Sequence, residues 1–201
     1  RAMLGLLLAC HSSQPPSVVL DPPTPVAVGR REGQEPNEGF GSAVVLSLQG
    51  LYAGAPFGEG RVYLEDKVIL SGGHMGRSLA SSPELGVIVG DPINGRVYTS
   101  NGHILLNGPG IGGALAAWKG QWAASGAEGV WQGYFRAGPR PDALAFNESG
   151  ALAMGFAQGE VALRWGEVQI TRTHMDGLGQ ALIWGDLDAD GEGEWIAGAP
   201  I

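Results

Sequence analysis

The sequence holds a single cysteine, Cys10, so an internal disulfide is excluded. Aromatic residues make up only 7% of the chain and charged residues 16%. Lys and Arg together number 12 against 20 Asp and Glu, a formal net charge of −8. Binding nucleic acid or an anionic lipid surface by charge alone needs clustered cations, and the short patch Gly29-Arg30-Arg31-Glu32 does not supply them. Cations are the more natural ligands. No apolar run is long enough to span a bilayer as a helix. A Gly-x-Ser-x-Gly elbow is also missing, which leaves nucleophilic catalysis without an evident candidate.

Glycine is what the chain has in excess, 35 residues of 201, with 13 prolines. Glycine at that density punctuates many short elements and argues against long helices. The 44% of hydrophobic residues still suffices for a packed core.

The first segment, residues 1–10, is apolar and has the length of a signal-peptide core. Leu7-Leu8-Ala9-Cys10 resembles the bacterial lipobox, which implies a diacylglycerol on the Cys10 thiol, export, and a lipid-anchored place in the bacterial cell envelope. Residues 11–36 follow, with Pro15-Pro16 and Pro22-Pro23-Thr24-Pro25. Such sequence stays extended and reads as a disordered linker between lipid and domain.

From residue 37 onward the chain repeats. Phe40-Gly41-Ser42-Ala43-Val44-Val45-Leu46 leads through Gln49-Gly50 into Leu51-Tyr52-Ala53-Gly54-Ala55-Pro56 and Gly60-Arg61-Val62-Tyr63. About thirty-five residues later the order returns as Met75-Gly76-Arg77-Ser78-Leu79-Ala80, Leu85 to Pro92, and Gly95-Arg96-Val97-Tyr98. Weaker copies start at Ile111-Gly112 and Asp142-Ala143. Another starts at Leu178-Gly179 and reaches Gly198-Ala199-Pro200 without a closing Gly-Arg-Val-Tyr, so that copy reads as incomplete. Each unit contains short runs of Val, Ile, Leu and aromatics bounded by Gly, Asn or Pro, which predicts three or four short antiparallel strands. One such unit cannot bury both faces, whereas radially arranged sheets cover one another. The predicted class is therefore all-β, a β-propeller or propeller fragment of about five short blades over residues 37–201. A β-solenoid is the rival architecture.

The blocks Phe40-Gly41-Ser42 with Gly54-Ala55-Pro56, and Leu178-Gly179 with Gly198-Ala199-Pro200, resemble FG-GAP repeats, the units of integrin α-subunit propellers and of bacterial surface proteins. The resemblance implies blades of four strands with calcium in some interstrand loops. It further implies an adhesion or binding scaffold whose blade loops contact protein or polysaccharide, with no catalytic role. A hydrolase or lyase acting on carbohydrate or phospholipid is the alternative.

The candidate metal loop is Asp186-Leu187-Asp188-Ala189-Asp190-Gly191-Glu192-Gly193-Glu194. Alternating carboxylates can turn toward one centre, a glycine at Gly191 lets the chain wrap, and a later acid closes the shell. Hard oxygen donors at flexible spacing suit Ca²⁺ better than Zn²⁺. The expected ligands are the side chains of Asp186, Asp188, Asp190 and Glu194 and the backbone carbonyl of Glu192. An EF-hand is disfavoured because its closing acid would fall on Ala197. The corresponding stretches Ser47 to Gly50, Ser81 to Glu84 and Asn147 to Gly150 lack the pattern, so a single calcium is expected.

Other signals are weaker. Gly108-Pro109-Gly110-Ile111-Gly112-Gly113 fits G-x-G-x-x-G, but no βαβ alternation surrounds it and Gly112 falls on the repeat position of Gly41 and Gly76. His74 and His174 sit at repeat positions, which favours structural roles. Asp142 and Glu148 read as belonging to different loops. The tryptophans, among them Trp118, Trp122, Trp131 and Trp165, suit packing between blades better than a carbohydrate platform.

Overall fold

The structure is a computed structural model, and it describes residues 32–198 apart from 166–167, 174–178, 189 and 191–192. Among the described residues every regular element is a β-strand. The first sheet comprises β1 (Ala43–Ser47), β2 (Gly50–Ala55), β3 (Arg61–Leu64) and β4 (Lys67–Ser71). The second holds β5 (Ser78–Ser82), β6 (Gly86–Asp91), β7 (Arg96–Thr99) and β8 (Ile104–Asn107). β9 (Leu115–Trp118), β10 (Gln121–Gly126), β11 (Gly129–Trp131) and β12 (Phe135–Ala137) make the third. β13 (Ala143–Phe146), β14 (Leu152–Phe156), β15 (Glu160–Trp165) and β16 (Val168–Thr173) make the fourth. A fifth sheet pairs β17 (Ala181–Gly185) with β18 (Glu194–Gly198).

All pairings are antiparallel between strands consecutive in sequence, so sheets one to four are four-stranded meanders and the fifth is two-stranded. Glycine or small polar turns close many of the strands, such as β1, β4 and β13, and keep the meanders short. The blocks Gly60-Arg61-Val62-Tyr63 and Gly95-Arg96-Val97-Tyr98 prove to be the starts of the third strands β3 and β7.

Alternation along the strands determines how the sheets stack. Tyr52 and Val62 on the first sheet share a core with Val87, Val89 and Tyr98 on the second. Ile88 and Val97, from the opposite face of the second sheet, pack with Leu115 and Ala124 of the third. Ala123 and Val130 of the third then meet Leu144, Leu152, Met154 and Ala162 of the fourth. The sheets therefore cover one another in series, and the first strand of each lies against the first strand of the next. This mutual coverage answers the problem that no single unit can bury both its faces.

Glycine makes the close approach possible. Gly76 adopts φ +84° and its carbonyl lies so near Gly54 of the preceding sheet that a Cβ there would be driven into it. The same collision is built into Gly90 against Gly112 and Gly155 against Gly179. In the third sheet the place of Gly54 is taken by fully buried Ser125, whose hydroxyl accepts a hydrogen bond from the Ala114 N–H at 2.7 Å.

Ahead of β1, the segment 33–40 folds over the outer strands of the first sheet. Phe40 meets the Tyr63 ring edge-on at 5.0 Å, and the Tyr63 hydroxyl donates to the buried Glu38 carboxylate at 2.9 Å. Arg61 reaches Glu35 at 2.7 Å, Glu38 at 3.4 Å and Glu59 at 3.3 Å, and the bond to Glu35 leads the causes that hold its guanidinium above the usual arginine pKa.

Candidate metal centre

The acidic loop joins β17 to β18. Gly185 is the last paired residue of β17 and its partner across the ladder is Glu194, so the backbone of Glu194 is held by the sheet itself. The loop thus belongs to an antiparallel hairpin, a different setting from the helix pair of an EF-hand. Directly beside it, Trp184 pairs with Trp195 across the strands, their rings edge-to-face at 4.9 Å. A Cβ on Gly193 would strike the Trp184 indole, which explains why a glycine precedes Glu194.

From this frame Asp186, Asp188 and Glu194 each bring one carboxylate oxygen to a common place, all within 4.8 Å of one another. Oxygens bound on opposite sides of Ca²⁺ at about 2.3–2.6 Å lie about 5 Å apart, so all three can share one coordination sphere. Glu194 is half-buried while Asp186 and Asp188 are exposed. Backbone donors orient two of the three: the Leu187 N–H donates to Glu194 Oε2 at 2.9 Å, and the Asp190 N–H to Asp188 Oδ1 at 3.3 Å. A carboxylate has lone pairs left after one such bond, so neither contact prevents ligation. Three like charges this close repel unless a cation or protons neutralise them.

Of the residues singled out in the sequence, Asp186, Asp188 and Glu194 are therefore brought together. Asp190 is exposed and outside that group, its backbone supporting Asp188. Glu192 lies outside the described residues, as does Cys10 with the whole signal segment.

The remaining signals resolve into structure. Gly112 has φ +95° and its N–H donates to the Ser125 carbonyl, matching Gly41 to Gly54 and Gly76 to Gly90. Asp142 Oδ2 accepts from the Ala157 N–H at 2.8 Å, and the Glu148 backbone carbonyl accepts from Trp118 Nε1 at 3.1 Å, so the two residues serve different contacts. Trp122 and Trp131 lie 4.2 Å apart against the core between sheets two and three. His174 and the side chain of Trp165 lie outside the described residues.

One buried acid has no counterpart in the sequence reading. Asp91 is fully buried and accepts from the His74 N–H, the Asn94 N–H and Asn94 Nδ2 at 3.2, 3.2 and 2.8 Å. It ties the turn before β5 to the turn after β6, which gives His74 a structural role through its backbone. The signal available was Asp91-Pro92 standing where the first repeat has Ala55-Pro56, followed by the turn pair Asn94-Gly95.

No protein-family profile matches the chain, and no curated protein matches it. Among solved structures, the fold is similar to the crystal structure of the computationally designed Ika8 protein, at 18% identity and a TM-score of 0.53 over 77% of this chain and 55% of that one. The computationally designed Ika4 protein aligns at 21% identity with a TM-score of 0.49, over 69% of this chain and 99% of that one. The chain thus spans about half the length of Ika8, and the likeness at this identity is one of fold.

Proposed function

We propose that residues 37–201 are a segment of an FG-GAP-type β-propeller acting as a calcium-stabilised binding scaffold, exported and held in a bacterial cell envelope by a lipid on Cys10. The observation that carries this reading is the meeting of the Asp186, Asp188 and Glu194 carboxylates on a hairpin anchored by the Gly185 to Glu194 pair. The series of four-stranded meanders, each covering the next, supports the blade architecture.

In this reading Asp186, Asp188 and Glu194 hold the cation, and the Glu192 carbonyl and Asp190 are the further donors the sequence offers. Bound calcium supplies positive charge that neutralises the cluster and fixes the loop. The protein's own part is to keep Glu194 on the ladder, orient its carboxylate with the Leu187 N–H, and orient that of Asp188 with the Asp190 N–H. A stiffened loop beside the hairpin ends of the other sheets gives a protein or polysaccharide ligand a preformed surface, lowering the ordering cost of binding. The role is recognition, and the lipid on Cys10 provides the only membrane attachment.

Terbium luminescence tests the metal reading, because Trp184 and Trp195 stand beside the loop and can sensitise a lanthanide held there. Excitation of tryptophan should give terbium emission that calcium displaces at a stoichiometry of one, and magnesium should displace it far less well. Emission indifferent to calcium would remove the metal from the proposal.

A further inference from the structure

We infer that Trp122, Trp131, Gln121 and Gln132 form a binding site for an uncharged saccharide on the third sheet. The inference rests on the reading of the chain as a recognition scaffold and narrows its ligand, but it needs neither the cation nor the lipid. Equivalent positions in neighbouring sheets carry it. Counting back from Gly90, Ser125 and Gly155, which hold one place in their sheets, Trp122 stands where the second sheet has Val87 and the fourth has Leu152. Across the ladder Trp131 pairs with Ala124 as Tyr98 does with Val89 and Ala162 with Met154. Val87, Leu152, Tyr98 and Ala162 are sealed between sheets, at 2%, 0%, 6% and 0% exposure. The two tryptophans bring larger side chains to the same positions and yet stay partly exposed. The third sheet has a sheet on either side, so this opening is not an end of the series.

Packing accounts for only part of the pair. Both indoles rest against the core that holds Ile88, Val97 and Ala124, with their planes 34° from parallel. Their remaining surface lines a cleft of about 320 Å³, walled otherwise by Gly120, Gln121, Gln132 and Gly133. The two glycines, one in each adjoining turn, carry no side chain across the rings. Among the described residues neither glutamine side-chain amide is bonded to another protein group, so both are available to a ligand.

That set of groups fits a sugar. A pyranose ring presents a face of polarised C–H bonds that stacks on the electron-rich face of an indole, while the hydroxyls around its rim need donors and acceptors together. Each glutamine amide supplies both, two N–H donors and a carbonyl acceptor. No residue lining the cleft is charged, so an acidic sugar would find no counter-ion there. The volume lies at the small end of the range for ligand pockets, about 300–1,000 Å³, which suits one ring of a longer chain. Trp131 also borders a neighbouring cleft with Asn107, Glu128 and Phe135, where further units can lie and where the Glu128 carboxylate opposes anionic ones.

Isothermal titration of the full chain tests it, with cellohexaose, chitohexaose, mannohexaose and xylohexaose as neutral probes and hexagalacturonate as the acidic one. At least one neutral probe should bind, in chelator as well as in calcium, and hexagalacturonate should not. Trp122→Leu, which installs the residue of the fourth sheet, should weaken that binding by about tenfold or more. The double change Gln121→Ala with Gln132→Ala should do the same while leaving the thermal midpoint near that of the wild type, since it removes amides that hold nothing in the fold. Failure of all four neutral probes to bind up to about 5 mM, a range that resolves millimolar dissociation constants, overturns the inference. Binding that both variants leave unchanged, or binding of the acidic probe alone, overturns it too. Terbium emission reads the acidic loop separately, so its survival beside a failed titration removes the saccharide site without touching the metal.

Discussion

The hairpins β13–β14 and β17–β18 stand at the same place in their sheets, directly after the first strand, and they are closed by opposite means. In the fourth sheet a neutral side chain does the work: Asn147 Oδ1 accepts from the Ser149 N–H, the Ser149 hydroxyl and the Ala151 N–H at 3.1, 2.8 and 2.8 Å. In the fifth, carboxylates of Asp186, Asp188 and Glu194 converge within 4.8 Å, and one backbone N–H each reaches Glu194 and Asp188. The first sheet resembles the fourth, with Ser47 Oγ accepting from the Gln49 N–H and the Tyr52 hydroxyl bonding the Gln49 side chain. An Asx or Ser turn satisfies itself with polar partners, whereas gathered acids gain stability only when something positive joins them.

Three variants sharpen this contrast. The largest effect is expected at the joint between the two sheets, where Gly155→Val would drive a side chain into the Gly179 carbonyl. A loss of about 3 kcal/mol or more is expected by denaturant unfolding, the same in calcium and in chelator, because the fault lies in backbone packing. Next comes the double change Asp186→Asn with Asp188→Asn. If the loop holds calcium, the wild type should gain about 2.7 kcal/mol at calcium a hundredfold above the dissociation constant, and the variant should lose nearly all of that gain while unfolding in chelator no earlier than the wild type. Asn147→Ala should cost about 1–2 kcal/mol by removing the acceptor that closes its turn. That cost should be unaffected by calcium, and a calcium-dependent cost would break the distinction between the two hairpins.

The repeat is legible in the sequence because its punctuation is steric. Gly41, Gly76, Gly112 and Gly179 must take positive φ, and Gly54, Gly90 and Gly155 must admit the next sheet, so no other residue serves easily at these places. Third strands are visible through Gly60-Arg61-Val62-Tyr63 and its twin. Fourth strands are not: β4 and β12 lie at sheet edges, where Lys67 and Phe135 are exposed and little in the composition constrains them. The carboxylates of the acidic loop are legible from alternation and glycine. Which of them meet depends on the ladder that fixes Glu194 and on the Trp184 ring beneath Gly193, neither of which spacing alone reveals. Asp91 escapes notice for a related reason, since its partners His74 and Asn94 come from two different turns.

Thermal unfolding of the full chain in calcium and in chelator tests the central claim most directly. With calcium a hundredfold above its dissociation constant the midpoint should rise by about 5–10 °C. Identical midpoints in the two conditions would contradict a cation-closed hairpin at Asp186 to Glu194.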